Sequence, residues 1–315
     1  MIVAGERESR PGAFIDLPPR PPIDPELDPF AAGREERTPP ELFALRENGE
    51  WSVRVVPNLY PALAAGEPGP PEDPLASGRG EPDLFSSRPA LGAHEVIVNA
   101  PDPVSSLAEL RPEQVETAMS VWRARSRAHE GAAYVHVIVN EGVEAGASLP
   151  HTHAQLYALP FVPARVARER ERFTAYWQRT QGRNLLGDLL QEEVRRRERL
   201  VAVDDEAVAL CPFGALVPFH LQVVPRRPVA RFADDGALGG RMLHEALARL
   251  RSALGALPPL NMWVRTAPRD AEHFCWRIDV LPRLAQLAGL EIGAGVHLNV
   301  LAPEVAAARL RDASV

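Results

Sequence analysis

The sequence predicts an α+β fold made of two similar halves. Three observations carry that expectation. The order strand, strand, helix, strand, strand occurs twice along the 315 residues. The last strand of each half ends in Leu-Pro, at Leu159-Pro160 and at Leu281-Pro282. Apolar positions alternate in the strand-like runs and recur every three or four residues in the helix-like ones. A repeat that is good in order and weak in identity reads as a duplication. The expected units are residues 1–165, a helical connection at 166–200, and 201–315.

Two stretches read as loops. Residues 17–40 are rich in proline. Residues 64–83, "AAGEPGPPEDPLASGRGEPD", combine Pro, Gly and acid and are expected to be mobile. Between them "WSVRVVPNLYPAL" reads as a strand, and "HEVIVNAPD" follows as another. A helix is expected over "SSLAELRPEQVETAMSVWRARSRAHEG", with Ser106 and Glu109 as a capping box and Gly131 as its stop. Val115, Met119 and Trp122 share its apolar face. The strands "YVHVIVNEG" and "LPHTHAQLYALP" complete the first half.

Residues 163–200 read as two helices whose charge runs are solvated faces with i,i+4 pairs. In the second half "AVALCPFGAL" and "FHLQVVPRRP" read as strands. A helix follows Asp234 and Asp235, with Leu243, Leu247, Leu250 and Leu254 on one face. "NMWVRTAP" and "HFCWRIDVLPRL" read as the closing strands.

Composition narrows the function. Hydrophobic residues make up 45% and charged residues 24%, which is ordinary for a globular chain. The net charge is −7 with no basic block, against a nucleic-acid partner. No window is long and apolar enough to span a bilayer, and the N-terminus is no signal peptide. Two cysteines, Cys211 and Cys275, do not make a disulfide framework, so a cytoplasmic protein is expected. All 35 basic residues are arginine. A Schiff-base lysine and a P-loop lysine are therefore excluded, and any phosphate must be held by arginine, amide or backbone N–H groups.

The stretch at residues 149–160 carries the chemistry. In a strand, His151, His153 and Gln155 fall on one face, opposite Ala154, Leu156 and Ala158. Such a column is costly to bury unless each group has a partner or a task. Three readings compete: a hydrogen-bonded structural face, a metal site, and nucleophilic catalysis at phosphorus. Zinc needs three or more ligands, and no Cys or acid stands at ligand spacing nearby. A neutral imidazole is a good nucleophile at pH 7 and a good leaving group once phosphorylated. It needs one nitrogen held by an acceptor, and donors for the non-bridging oxygens. Gln155 can donate on the same face. Upstream, "NEGVEAGASLP" offers glycines and Ser148 for close approach of an anion.

These residues resemble the galactose-1-phosphate uridylyltransferase family of the histidine-triad superfamily. "NEGVEAGASLPHTHAQ" is similar to its active-site segment, with Asn140, Gly142, Gly146, Ser148, Pro150, His151, His153 and Gln155 in register and Thr152 in place of the middle proline of Pro-His-Pro-His-x-Gln. "RESRP" resembles the family's Arg-x-x-Arg-Pro, giving Arg7 and Arg10. "RTPPE" and "VVPNLYPAL" resemble its next blocks, giving Asn58, and "FCWRIDVLPRL" resembles its Phe-His-Trp-His-Ile-Glu block. The resemblance implies two fused histidine-triad-like halves, each a mainly antiparallel sheet with a packed helix. It implies ping-pong nucleotidyl transfer. His153 attacks the α-phosphorus of a nucleotide sugar, UDP-hexose by default, and a sugar 1-phosphate then takes the nucleotide. Gln155 would bond the phosphoryl oxygens, and Ser148 and Gly146 would sit on the phosphates. Arg7 and Arg10 would supply positive charge, and Asn58 and Asn140 would contact the nucleotide or phosphates. For these last four the plain readings are solvated arginines and, for Asn58, a turn.

The departures bear on metals and cofactors. Many family members bind zinc through Cys-Pro-Phe-Cys, where this chain has "DPFA", Asp28 to Ala31. A further ligand position is Pro103, so only His151 survives. The second-half histidines are replaced by Cys275 and Arg277. No metal and no cofactor are expected, and His151 is left to orient the strand or a phosphate. The chain also opens on "MIVAGE", where the family has a longer strand. Two alternatives stand beside the transferase. One is a phosphorylase that uses inorganic phosphate as acceptor. The other is a nucleotide-sugar-binding protein without turnover. A homodimer is the assembly the resemblance suggests.

Overall fold

A computed structural model describes residues 1–10, 14–17, 19–64 and 90–315. The expected mobile loop at 64–83 lies, beyond Ala64, outside the described residues. The chain begins with strand β1 (Ile2–Val3), then forms β2 (Phe43–Glu47), β3 (Glu50–Pro57) and β4 (Ala93–Val98). Helix α1 (Pro112–Ala128) leads to β5 (Tyr134–Glu141) and β6 (His153–Leu159). Helices α2 (Ala164–Thr180) and α3 (Leu185–Arg196) follow, where two helices were expected. The second half contains β7 (Leu200–Val203), β8 (Ala207–Leu210), β9 (Leu221–Pro225), α4 (Gly240–Leu254), β10 (Leu260–Arg265) and β11 (Arg277–Pro282). The chain closes with α5 (Gly289–Ala294), β12 (Leu298–Asn299) and α6 (Pro303–Asp312).

The ten central strands form one antiparallel sheet in the order β2-β3-β4-β6-β5-β10-β11-β9-β8-β7. Read outward from the middle, each half has the same order, so the duplication is visible as a mirrored arrangement. The join was not legible in the sequence. Asn140 of β5 pairs with Asn261 of β10, and the two half-sheets become continuous. Because they share one sheet and one core, the division at 165 and 200 is a proposal about sequence units. The edge strands β2 and β7 were also unforeseen. Both are short and paired on one side only, which keeps the exposed edges brief.

One face of the sheet is covered by α1 and α4, which pack on each other. Val115, Met119 and Trp122 from α1, Leu243, Leu247 and Leu250 from α4, and Val137, Val139 and Leu156 from the sheet are buried in one cluster. Each such aliphatic side chain contributes about 1.5–3 kcal/mol by leaving water. Leu254 lies at the edge of this face, half-buried.

Two helix starts differ from expectation. Ser106 caps a short 3-10 turn, Leu107–Glu109, by accepting from the Ala108 N–H. Glu109 accepts from the Ser105 N–H instead of closing a box on Ser106. The helix itself begins at Pro112, whose fixed φ suits a first turn, and it ends at Ala128, before Gly131. In the second half a 3-10 turn at Phe232–Asp234 and the left-handed Gly236 and Gly239 precede α4, so the helix starts at Gly240. "AVALCPFGAL" is a strand only to Leu210, with Pro212 just beyond. At the N-terminus β1 pairs in parallel with β12. Among the described residues no helix is long and apolar enough to cross a membrane.

Candidate active site

The second face of the sheet carries the polar column. β6 begins at His153, so the expected alternation holds for His153, Gln155 and Tyr157, while His151 lies just ahead of the strand. Pairing of β6 with β4 and β5 places Val96 and Ile138 beside Gln155, and His94 and His136 beside Tyr157. These residues share the open face.

His153 is 6% exposed. Its Nδ1–H donates to the His151 carbonyl at 2.7 Å, which fixes the tautomer and leaves Nε2 as the nitrogen with a lone pair. Burial is the main influence that lowers its pKa below the ordinary imidazole value. The bond to the His151 carbonyl works the other way and does not cancel it. The ring is therefore neutral at pH 7. Phe30 packs against it edge-on, with centroids 5.2 Å apart, and limits its rotation.

His151 is a correction to the expected substrate contact. It is fully buried, with Nδ1 2.6 Å from Asp28 Oδ2 and Nε2 2.9 Å from the Ala100 carbonyl. Both nitrogens are engaged by oxygens of the protein itself, and neither is left for a phosphate. Asp28 is itself buried, and its second oxygen accepts from the Phe30 N–H at 2.9 Å. Burial alone would raise the Asp28 carboxyl. The bonds from His151 and Phe30 outweigh it and hold the group below the usual carboxylate value. The segment "DPFA" thus does two things: Asp28 anchors the residue whose carbonyl holds the His153 ring, and Phe30 packs on that ring itself. These residues do not fit a zinc ion. Ala31 and Pro103 offer no ligand, and His151 has no free nitrogen.

Thr152 shows why the middle proline of the family pattern is dispensable here. Its N–H donates to the Val104 carbonyl at 2.8 Å, and its hydroxyl accepts from Asn99. A proline could form neither bond.

Gln155 is held by groups the sequence reading missed. The Ala62 N–H donates to His94 Nδ1 at 3.1 Å, so His94 carries its proton on Nε2. That Nε2–H donates to Gln155 Oε1 at 2.9 Å, and the Tyr157 hydroxyl donates to the same oxygen at 2.9 Å. His94 and Tyr157 also stack, with centroids 4.1 Å apart. With its carbonyl doubly occupied, Gln155 turns its NH2 outward as a donor, and among the described residues that group has no partner. Removing one of two such bonds costs about 0.5–1.5 kcal/mol, so Tyr157→Phe should lower kcat by about 2–10-fold with little change in thermal stability. A comparison of kcat and Tm for the two proteins checks this.

The remaining expected residues divide. Asn58 accepts from the Tyr60 N–H at 2.8 Å, the turn role, yet its amide nitrogen lies 3.1 Å from His94 Nε2 and so beside the Gln155 cluster. Asn140 follows Val139, the partner of Ala154, and so stands beside His153. Its carbonyl accepts from Asn261 at 2.9 Å, and among the described residues its NH2 has no partner. Gly146 closes the 3-10 turn Val143–Ala145 with a left-handed φ of 85°, a conformation glycine adopts without strain. Ser148 is exposed in the loop that enters β6. Arg7 and Arg10 are not brought to this cluster. Pairing of Ile2–Val3 with Leu298–Asn299 ties the N-terminus to the second half, and both arginines are exposed there.

The second-half position expected to lose its metal is filled by charge. Arg277 pairs with Glu169 at 2.5 Å and with Asp279 at 3.1 Å. Cys275 is buried, and burial pushes its thiol up to about 12. A paired guanidinium and a neutral thiol do not fit a cation.

The mirrored half-sheets, each with one covering helix, and the His-x-His entry to β6 define a histidine-triad-like fold. Comparison with known proteins is specific. The family described as galactose-1-phosphate uridyl transferase, N-terminal domain, matches residues 46–163, and a domain of unknown function, DUF4921, matches residues 114–313. An ADP-glucose phosphorylase of Arabidopsis thaliana is 28% identical over 100% of this chain and 90% of its own length. A galactose-1-phosphate uridylyltransferase of Haemophilus influenzae is 30% identical over 77% of this chain and 73% of its own. The crystal structure of an Arabidopsis thaliana ADP-glucose phosphorylase with bound ADP-glucose superposes with a TM-score of 0.81 at 24% identity, covering 99% of this chain and 95% of that one. The chain belongs to the galactose-1-phosphate uridylyltransferase family and is a nucleotidyltransferase of that family.

Proposed function

We propose that the protein moves a nucleoside monophosphate from a nucleotide sugar to a phosphate acceptor through a covalent adduct on His153. The observation that carries this reading is the His153 ring, neutral and tautomer-fixed, with Nε2 free. Nε2 attacks the α-phosphorus, the bond to the bridging oxygen breaks, and the sugar 1-phosphate leaves with the bond electrons. The Gln155 NH2 donates to the non-bridging oxygens as charge develops there. Asn140 and the loop at Gly146 and Ser148 hold the neighbouring phosphate. Arg7 and Arg10 have no part in the single-chain site.

UMP transfer to a sugar 1-phosphate is the first reading of the acceptor, supported by similarity to uridylyltransferases. Inorganic phosphate is the second. It is supported by the match to ADP-glucose phosphorylase along the whole chain, which also points to adenine as the base. Intact-protein mass spectrometry after mixing with UDP-glucose or ADP-glucose tests the step and identifies the base. An acid-labile gain of one nucleoside monophosphate is expected. Its discharge by galactose 1-phosphate or by inorganic phosphate then names the acceptor. Nucleotide binding with no adduct from any donor would leave a binding protein.

A further inference from the structure

The two residues that follow β4, Asn99 and Ala100, grip the dipeptide that leads into β6. The Ala100 carbonyl lies 2.9 Å from His151 Nε2. The Asn99 backbone N–H donates to the Thr152 carbonyl at 3.3 Å, and the Asn99 side-chain NH2 donates to the Thr152 hydroxyl at 3.1 Å. The Asn99 amide is itself held from the other side, where Trp122 of α1 donates its indole N–H to Asn99 Oδ1 at 3.0 Å. Asn99 is 0% exposed, Trp122 1% and Thr152 2%, so the chain of bonds runs wholly inside the molecule.

Such a chain gives little net stability over apolar side chains of the same shape, because each group gives up water to make its bond. What it supplies is direction. The His151 carbonyl that accepts from His153 Nδ1 and the Thr152 N–H that donates to the Val104 carbonyl belong to one peptide group. That group is planar, so its N–H and C=O directions are fixed together. How the plane sits relative to His153 depends on φ and ψ of Thr152. A proline locks φ through its ring, and a threonine does not. Here Asn99 holds both the carbonyl and the hydroxyl of Thr152. A β-branched side chain is stiff at χ1, so a fixed hydroxyl also restrains the backbone that carries it.

We propose that Asn99 is a positioning residue for the transfer step. With Trp122 behind it, Asn99 gives Thr152 the backbone constraint that a proline at this position would give by its ring. It thereby keeps the His151 carbonyl aligned on Nδ1 of His153. Asn99 acts through Thr152 and touches no substrate. The inference rests on the covalent reading of His153 for its kinetic consequence, and on the hydrogen bonds alone for its structural one.

The test compares Asn99→Leu, Thr152→Val, the two together, and Thr152→Ser. Melting temperatures identify the variants that fold. Thr152→Val removes only the hydroxyl and keeps the shape of the side chain, so it decides the question if Asn99→Leu does not fold. The first readout is the single-turnover rate of adduct formation from saturating UDP-glucose or ADP-glucose, beside the affinity for the same donor. Each single replacement should slow the step by about 10-fold or more and change donor affinity by less than about threefold, because a reacting group is misplaced while the donor contacts remain. The double variant should be no slower than the slower single one, because both replacements break the same bond. Thr152→Ser keeps the hydroxyl and should react at the unsubstituted rate. The second readout is the tautomer of His153, read at neutral pH from the imidazole nitrogen chemical shifts and assigned against His153→Ala. The unsubstituted protein should carry the proton on Nδ1, and Asn99→Leu and Thr152→Val should each show a mixture of tautomers. Unchanged rates in the folded variants, effects that multiply in the double variant, or an undisturbed tautomer would each overturn the proposal. If the unsubstituted protein forms no adduct, the covalent reading fails, and the tautomer still decides whether Asn99 positions the ring.

Discussion

Replacing His153 with alanine should abolish the covalent adduct and lower turnover by about four to six orders of magnitude, as expected when a nucleophile is removed from a preorganised site. Binding of the nucleotide sugar should survive. The donors we assign to it, the Gln155 NH2 and the Asn140 NH2, are positioned by their own partners and not by His153. A large loss in kcat with a modest change in donor affinity is the expected pattern. An adduct that persists in the variant would mean a different nucleophile. The pH dependence follows from burial. Because burial holds the His153 ring below the ordinary imidazole value, the nucleophile stays neutral from pH 7 into mildly acidic solution. The rate of adduct formation should fall only as the pH drops through that lowered value, below about 6.5. A pH–rate profile with its acid limb at or above that point would contradict the assignment.

Replacing Asp28 with alanine should be the most destabilising single change near the site. Asp28 is 3% exposed and His151 is 0% exposed. Taking away the carboxylate leaves a buried imidazole nitrogen of His151 without its partner. Breaking such a buried pair costs about 3–5 kcal/mol, a large share of a typical total of about 5–15 kcal/mol. Asp28→Asn keeps an acceptor oxygen and should cost less. Urea midpoints of the three proteins give the order directly. The sign of the pH effect is set by the lowered Asp28 value. The stabilisation is present above the unfolded-state value near 4 and is lost as pH falls through the folded-state value. The gap between the protein and Asp28→Ala should therefore be constant from neutral pH to about 5 and narrow below about 4. The same substitution should slow adduct formation, because the carbonyl that holds Nδ1 of His153 belongs to His151.

Much of the molecule was legible because it depends on local pattern. The strand alternation around residues 153–159 placed His153 and Gln155 on one face, and the three- and four-residue spacing placed Trp122 and Leu247 in the core. What was missed depends on contacts distant in sequence. His94 reaches Gln155 across 61 positions, and nothing in "HEVIVNAPD" distinguishes a ligand-orienting histidine from a packed one. The Asp28–His151 bond spans 123 positions, and one of two Asp-Pro pairs in a proline-rich loop carries no signal of burial. Arg7 and Arg10 were expected at the site on resemblance alone, and the pairing of β1 with β12 places them elsewhere.

The sequence by itself determined the two-half order, the placement of His153 and Gln155 on one strand face, and the lack of any lysine for phosphate. Side-chain spacing and residue type are properties of the chain alone. Only the tertiary structure decided that the half-sheets join through β5 and β10, that His151 is an anchor and not a substrate contact, and that His94 and Tyr157 hold Gln155. Each of these depends on which buried polar groups find partners, and partners are assigned only when distant segments pack.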